Sequence, residues 1–503
     1  MPIRFSPAAA VFAVLVAVLA LFSALAQHGP PDEAQIGKNT CSQVVVAPTM
    51  PPTFDLYGST DFQGSADCIG WQWFIYENWR AKGMGRPNGG IGPNVFGFPV
   101  QKAGAYTTVW ESYANPDDVF KTTLAAREHA LTATNGLRTL SATSKGDGDD
   151  VSLNGFHQAF TFGWLTSRDH DVTFYEERID NDELAYITQN RLTSKSRQLY
   201  CVTHGGLSLP AGQNDIDCNG NPANYGNLGA IEIKAAWIEL HDPAKASRYL
   251  ISRANLIYPD GHIVKDALIG LVGLHIIRKV PKAAQFAWAT FEQVDNDPDA
   301  TPYPTSPPTS TPPPPTATPL WTYYNSACTG ANCKVNALAT PCANGKGPPP
   351  ANCQAYTVPT QTQRVTPVSY FSDDSTSVFR AALQKAHATT SVFRYYRMID
   401  VQWPRVVTST QQKPFARVPL FQASPDPSWP VANSTLETYV QGAACMDCHQ
   451  SAAIASSGAS AGRAHIRIFS PALLRAMRAP HPGASAAPYA SDWSFVFAKA
   501  RQP

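Results

Sequence analysis

Hydrophobic and polar positions change their repeat along the chain, and the changes mark out its elements. Around 68–79 the pattern is helical: Trp71, Phe74, Ile75 and Asn78 fall on one face, with Trp73, Tyr76 and Trp79 beside them and Gly83 as a stop. Aromatic side chains at this density read as core. Beyond residue 155 the repeat shortens to two. Residues 171–178, 231–237, 286–294, 394–403 and part of 249–258 alternate as strands do. Residues 268–277 are almost continuously apolar and read as a buried strand, bounded by Arg278, Lys279 and Pro281. Helical spacing returns at 182–191 and at 374–388, where Val378, Phe379, Ala382, Leu383 and Ala386 share a face. The strands succeed one another through loops, without regular crossover helices. The expected fold is therefore α+β: a strand-rich, mainly antiparallel main region.

Near the C-terminus, Ser434-Thr435-Leu436-Glu437 has the form of a capping box. Leu436, Tyr439, Val440 and Ala443 then predict a helix running into Cys445-Met446-Asp447-Cys448-His449. CxxCH is the attachment signature of c-type haem, in which two thiols add to the vinyl groups and the histidine becomes an axial ligand. On a helix, residues three and four apart share a face, so Cys445, Cys448 and His449 project together. Scattering the 10 Cys and 12 His at random would give only about 0.005 such motifs. The competing reading is a disulfide or zinc hairpin followed by an ordinary histidine. The motif predicts one covalent haem c held by a helical C-terminal segment.

The compartment implied by the N-terminus agrees. Arg4 precedes an apolar run at 8–26, broken only by Ser23, and Ala24-Leu25-Ala26 matches a signal-cleavage site. A signal peptide over 1–26 directs export, most simply to a bacterial periplasm; the length of the run leaves an uncleaved membrane anchor as the lesser reading. No later segment is apolar enough to span a bilayer, so no transmembrane span is expected after cleavage. Eight cysteines lie outside the motif, an even number suited to disulfides in an oxidising compartment. Proximity suggests Cys41–Cys68, Cys201–Cys218 and two bridges among Cys328, Cys333, Cys342 and Cys353.

A net charge of +1 gives no bulk reason to bind nucleic acid, and 43 prolines imply much irregular structure. The tract at 301–320 is Pro/Thr/Ser-rich and favours extended polyproline II, as an interdomain linker or a loop insertion. The expected organisation is a main domain at 27–300, that tract, a disulfide-stapled segment with a helix and strand packing on the main domain at 321–432, and a haem segment at 433–503. Asp215 to Gly220 resembles the first half of an EF-hand loop, but Gly226 stands where the closing glutamate belongs, which favours a turn pinned by Cys218. Asp147-Gly148-Asp149-Asp150 reads as a solvated loop.

The motif marks a c-type cytochrome, but small single-domain carriers place CxxCH near their start. The chain instead resembles large, poorly characterised bacterial cytochrome c family proteins. Four stretches carry the likeness: 71–79 with Val109-Trp110-Glu111; 270–277; 286–296; and 436–440 leading into 445–449. The resemblance implies covalent haem and export, and no particular substrate. The sixth iron ligand separates the functions. A second strong ligand makes an electron carrier, whereas an open position admits small molecules. His275, inside an apolar strand, is one candidate metal ligand, with Met477, His465, His481 and Met398 behind it. Its alternative role is a core histidine bonded to backbone or to an acid such as Glu292. The preferred reading is electron transfer with a redox partner protein or a small-molecule donor or acceptor. A haem enzyme, peroxidase-like or oxidising a small molecule and drawing on His157, His275 and Glu292, and a haem-based sensor are the alternatives.

Overall fold

The longest strand, Ile263–Val280, organises the architecture because its second half is buried throughout and so is covered on both faces. The computed structural model describes residues 44–51, 62–83, 85–98, 107–121, 132, 135–141, 163–242, 245–281, 283–300, 321–330, 333–342, 346–347, 353–404, 414–417, 425–426, 430–450, 452–455 and 489–500. The expected signal peptide at 1–26, Cys41, the acidic run at 147–150, His157, the tract at 301–320, His465, Met477 and His481 lie outside the described residues.

The fold is α+β. Among the described residues an eight-stranded sheet comprises β1 (Thr139–Ser141), β2 (Phe174–Ile179), β3 (Ile231–Glu239), β4 (Ile251–Ile257), β5 (Ile263–Val280), β6 (Ala283–Gln293), β7 (Tyr396–Pro404) and β8 (Pro425–Asp426). The order β8-β7-β6-β5-β3-β2 is antiparallel throughout. β4 pairs antiparallel with β5, mainly along its first half, and β1 joins β4 in parallel. The short β1 lies in a stretch whose polar composition suggests only a loop. Two-residue alternation anticipates β2, β3, β6 and β7 to within a few residues. β5 extends beyond the predicted span at both ends, taking in the charged residues at 278–279, which the apolar run alone would leave outside it.

One face of the sheet is covered by α1 (Phe62–Glu77) and α4 (Tyr370–Lys385); between them in sequence lie α2 (Asn181–Gln189) and α3 (Lys195–Thr203). Trp71 of α1 stacks on Phe379 of α4 with ring centroids 4.0 Å apart, and Phe74 packs on Phe291 of β6 at 4.7 Å. All four rings are fully buried, and burying a side chain of the size of Phe contributes about 1.5–3 kcal/mol. α1 begins earlier than Trp71 and stops at Glu77 rather than near Gly83. Asn78 ends it: its side chain donates back to the Phe74 carbonyl at 2.9 Å and accepts from the Trp110 indole at 3.1 Å.

Cys201–Cys218, Cys328–Cys333 and Cys342–Cys353 are disulfides. Cys68 is also disulfide-bonded, while its expected partner Cys41 is not among the described residues. The loop at 215–221 is a turn in which Asp217 accepts from the backbone N–H groups of Asn219 and Asn221, so that carboxylate is committed within the loop. No helix among the described residues is long and apolar enough to cross a membrane.

The continuous helix expected from Ser434 into the motif does not form. Turns and a bend occupy 434–439, and the helix α5 is the short segment Cys445–His449. Asn433, one residue before the expected cap, takes over the local hydrogen bonding. Its Oδ1 accepts from Thr435 N at 3.0 Å, and its own N–H donates to Glu437 Oε2 at 2.9 Å. Its amide meanwhile donates to Thr290 Oγ1 and the Phe291 carbonyl on the sheet. The turn is thus tied to β6, and that attachment outweighs the helical spacing.

Candidate functional site

Register places a polar row on the sheet face opposite α1 and α4. Glu177 of β2 pairs with Lys234 of β3, Lys234 with His275 of β5, and His275 with Thr290 of β6. Two residues along, the row is Ile179, Glu232, Ile277, Trp288 and Gln402. Strand side chains alternate, so both rows face the same way, toward 430–455 and 489–500.

α5 is held on this face. Met446 N donates to Gln402 Oε1 at 3.1 Å, and the Met446 side chain is buried. The His449 ring lies 4.3 Å from Trp288 and 4.9 Å from Phe495, centroid to centroid. His449 Nδ1 lies 2.8 Å from the Trp493 carbonyl oxygen. A carbonyl only accepts, so the proton sits on Nδ1, which leaves Nε2 as the nitrogen with a lone pair and no hydrogen-bond partner among the described residues. Burial, together with the positive charges of Lys234 and His275, drives the His449 pKa down to about 4 and keeps the ring neutral. Cys445 and Cys448 are not joined in a disulfide. Burial, reinforced by the Glu437 charge, pushes the Cys445 thiol up. Two thiols and a neutral imidazole with an available Nε2 are the donor set that covalent haem attachment requires, so these residues fit the group.

His275 stands on the same face. Its Nε2 pairs with Glu437 Oε1 at 2.9 Å. Burial opposes ionisation of Glu437, but His275 and Lys234 outweigh it and hold the carboxyl below its usual range. The acid that meets His275 is therefore Glu437 and not Glu292. Glu292 is fully buried in an ion pair with Arg364 and accepts from Ser434 N, which engages it there instead of with His275. Met398 is buried on the helix-covered face, where its Cε lies near Gly70, away from the motif. Gly273, also on the motif face, lets the 433–437 turn approach: a Cβ there would lie 2.1 Å from Thr435 Oγ1.

The segment at 489–500 docks on the same face. Trp493 and Phe497 are fully buried. Asp492 Oδ2 accepts from Leu209 N at 2.7 Å and forms a buried ion pair with Lys279. Asp492 and Trp493 both adopt left-handed backbone, with φ of 57° and 66°. For residues other than glycine this costs about 1–2 kcal/mol each. Lys234, Lys279, Glu437 and Asp492 were not singled out as site residues from the sequence. The available signal was charge inside strongly apolar strands, as at Lys279, which is fully buried.

A separate cluster had no sequence signal. Ligand atoms of Asp171, Glu239 and His241 lie within 4.8 Å of one another, and the His241–Asp171 ion pair at 2.8 Å accounts for it.

No family model, curated protein or solved structure matches the chain.

Proposed function

We propose that the protein is an exported monohaem c-type cytochrome acting in electron transfer, with haem attached through Cys445 and Cys448 and His449 as an axial ligand. The observation that carries this reading is the state of His449. Its proton is committed to the Trp493 carbonyl, and its Nε2 is left to a metal, beside two cysteines at attachment spacing. Bound haem supplies a one-electron iron couple.

The chain's own residues would do the rest. Cys445 and Cys448 anchor the group covalently, and His449 offers Nε2. Trp288 and Phe495 against the imidazole limit its access to water, which lowers the local dielectric and restricts rotation of the ring. Gln402 holds the start of the helical turn on β7. His275 is the sixth-ligand candidate among the described residues on this face. Its Nε2 is paired with Glu437, so Nδ1 is the nitrogen it would offer. The partner would be a redox protein or a small-molecule donor or acceptor.

The His275–Glu437 pair also favours a second reading. If the sixth position is open, a hydrogen-bonded imidazole and carboxylate near the motif are suited to moving a proton, as a peroxidase-like enzyme or small-molecule oxidoreductase requires; a sensor would use the same open position. The full chain, produced with a haem c maturation system, distinguishes these by absorption spectra with and without cyanide or carbon monoxide. Sharp low-spin bands unmoved by either ligand are expected of a carrier. A high-spin spectrum that binds them moves the assignment to the second reading. Absence of covalent haem overturns both.

A further inference from the structure

We infer that the Asp492–Trp493 turn, clamped to the sheet by Lys279, is a positioning device that sets the orientation and ligand strength of His449, and with them the reduction potential. The inference rests on the haem reading above.

Two consecutive left-handed residues, neither of them glycine and one a tryptophan, form an uncommon backbone. Both side chains are fully buried, so solvent does not hold them there. The Trp493 indole N–H has no acceptor among the described residues, which adds a buried unsatisfied donor to the cost. Backbone of this kind persists only where the surroundings over-determine it, and such sites cluster where strain serves a function.

The surroundings do over-determine it. Lys279 reaches Asp492 from β5, and Leu209 N donates to the same carboxylate oxygen. Lys279 Nζ also lies over the Trp493 ring, 5.6 Å from its centroid, and over the Phe286 ring at 5.2 Å. On either side, Ser491 Oγ donates to the Ser494 carbonyl at 2.5 Å and Ala490 N to the Ala416 carbonyl at 3.0 Å. The carbonyl leaving this turn is the one that accepts from His449 Nδ1. Replacing a buried ion pair by apolar packing is often neutral or stabilising, so the Lys279–Asp492 pair matters here for the one geometry it fixes rather than for net stability.

The physical consequence has a sign. A hydrogen bond from Nδ1–H to a fixed carbonyl raises the basicity of the opposite nitrogen and favours the oxidised metal. Loosening the turn weakens that bond and raises the potential.

The test uses the full chain carrying covalent haem, with haem per chain and midpoint potential measured for the wild type, Lys279→Met and Lys279→Arg. Lys279→Met is expected to retain haem and to raise the reduced-to-oxidised ratio at a fixed electrode potential by about 2- to 10-fold, the worth of one hydrogen bond. Lys279→Arg keeps the ion pair and is expected to stay near the wild type. If Lys279→Met does not fold, the isosteric Asp492→Asn carries the test: a smaller shift in the same direction supports the inference. Full haem loading with an unmoved potential in the folded variant overturns this inference alone. A wild-type chain without covalent haem overturns the haem reading and this inference with it.

Discussion

Arg364→Met tests how the motif region is fastened to the sheet. Arg364 and Glu292 pair with no side-chain exposure on either partner. Arg364 Nη1 also donates to the Ala432 carbonyl at 2.9 Å, while Glu292 accepts from Ser434 N. Both contacts grip the start of the 433–437 turn that carries Glu437 to His275. Breaking one side of a buried pair costs about 3–5 kcal/mol, because the remaining charge stays desolvated. Here Arg397 lies 3.7 Å from Glu292 Oε2 and the Ser434 N–H remains, so the lower end, about 3 kcal/mol, applies. That corresponds to a fall of roughly 100-fold in the folding equilibrium. Urea denaturation should show a midpoint lowered by on the order of 1 M with the slope unchanged. Adding Glu292→Gln removes the stranded charge and should recover much of the loss. The reasoning fails if Arg364→Met lies within about 0.5 kcal/mol of the wild type, or if the double variant is worse than the single by the full cost of the second change.

Two further expectations follow from buried groups. Glu77 is fully buried; burial, aided by the Asp180 charge, pushes its pKa up to about 8 despite the Tyr113 hydroxyl bonded to it. The folded state therefore keeps a proton that the unfolded chain releases above about pH 4.5, so this group's contribution to stability falls as pH rises from there through about 8. Glu77→Gln should flatten that fall, and urea midpoints at about pH 5 and pH 9 that change equally in both proteins would contradict it. Gly273→Ala places a Cβ 2.1 Å from Thr435 Oγ1 and 3.0 Å from Asn433 Oδ1. It should lift the turn, loosen Glu437 from His275 and cost about 1–3 kcal/mol, with a changed haem spectrum alongside. Wild-type stability and spectrum together would show that the turn does not bear on the site.

What the residues of this chain reveal unaided is local. Alternation at 231–237, 286–294 and 394–403 marks real strands because a strand with one covered face must repeat every two residues, wherever its partners lie. Helical spacing at 374–388 marks α4, and nearby cysteines mark Cys201–Cys218, because both depend on residues close in sequence. The helix α3 gave little such signal, being polar through much of its length. CxxCH is legible for the same reason, since its geometry fits within one helical turn. The tertiary structure alone decides which distant groups meet. Local spacing predicts a helix from Ser434, but attachment of Asn433 to Thr290 and Phe291 makes it a turn. Burial in an apolar strand makes a partner for His275 necessary without naming it; Glu437 fills the place because Glu292 is already held by Arg364. The carbonyl that fixes His449 comes from Trp493, 44 residues further along, and is delivered by a pairing between Lys279 and Asp492. Such contacts follow from strand register and chain closure, which no local repeat encodes.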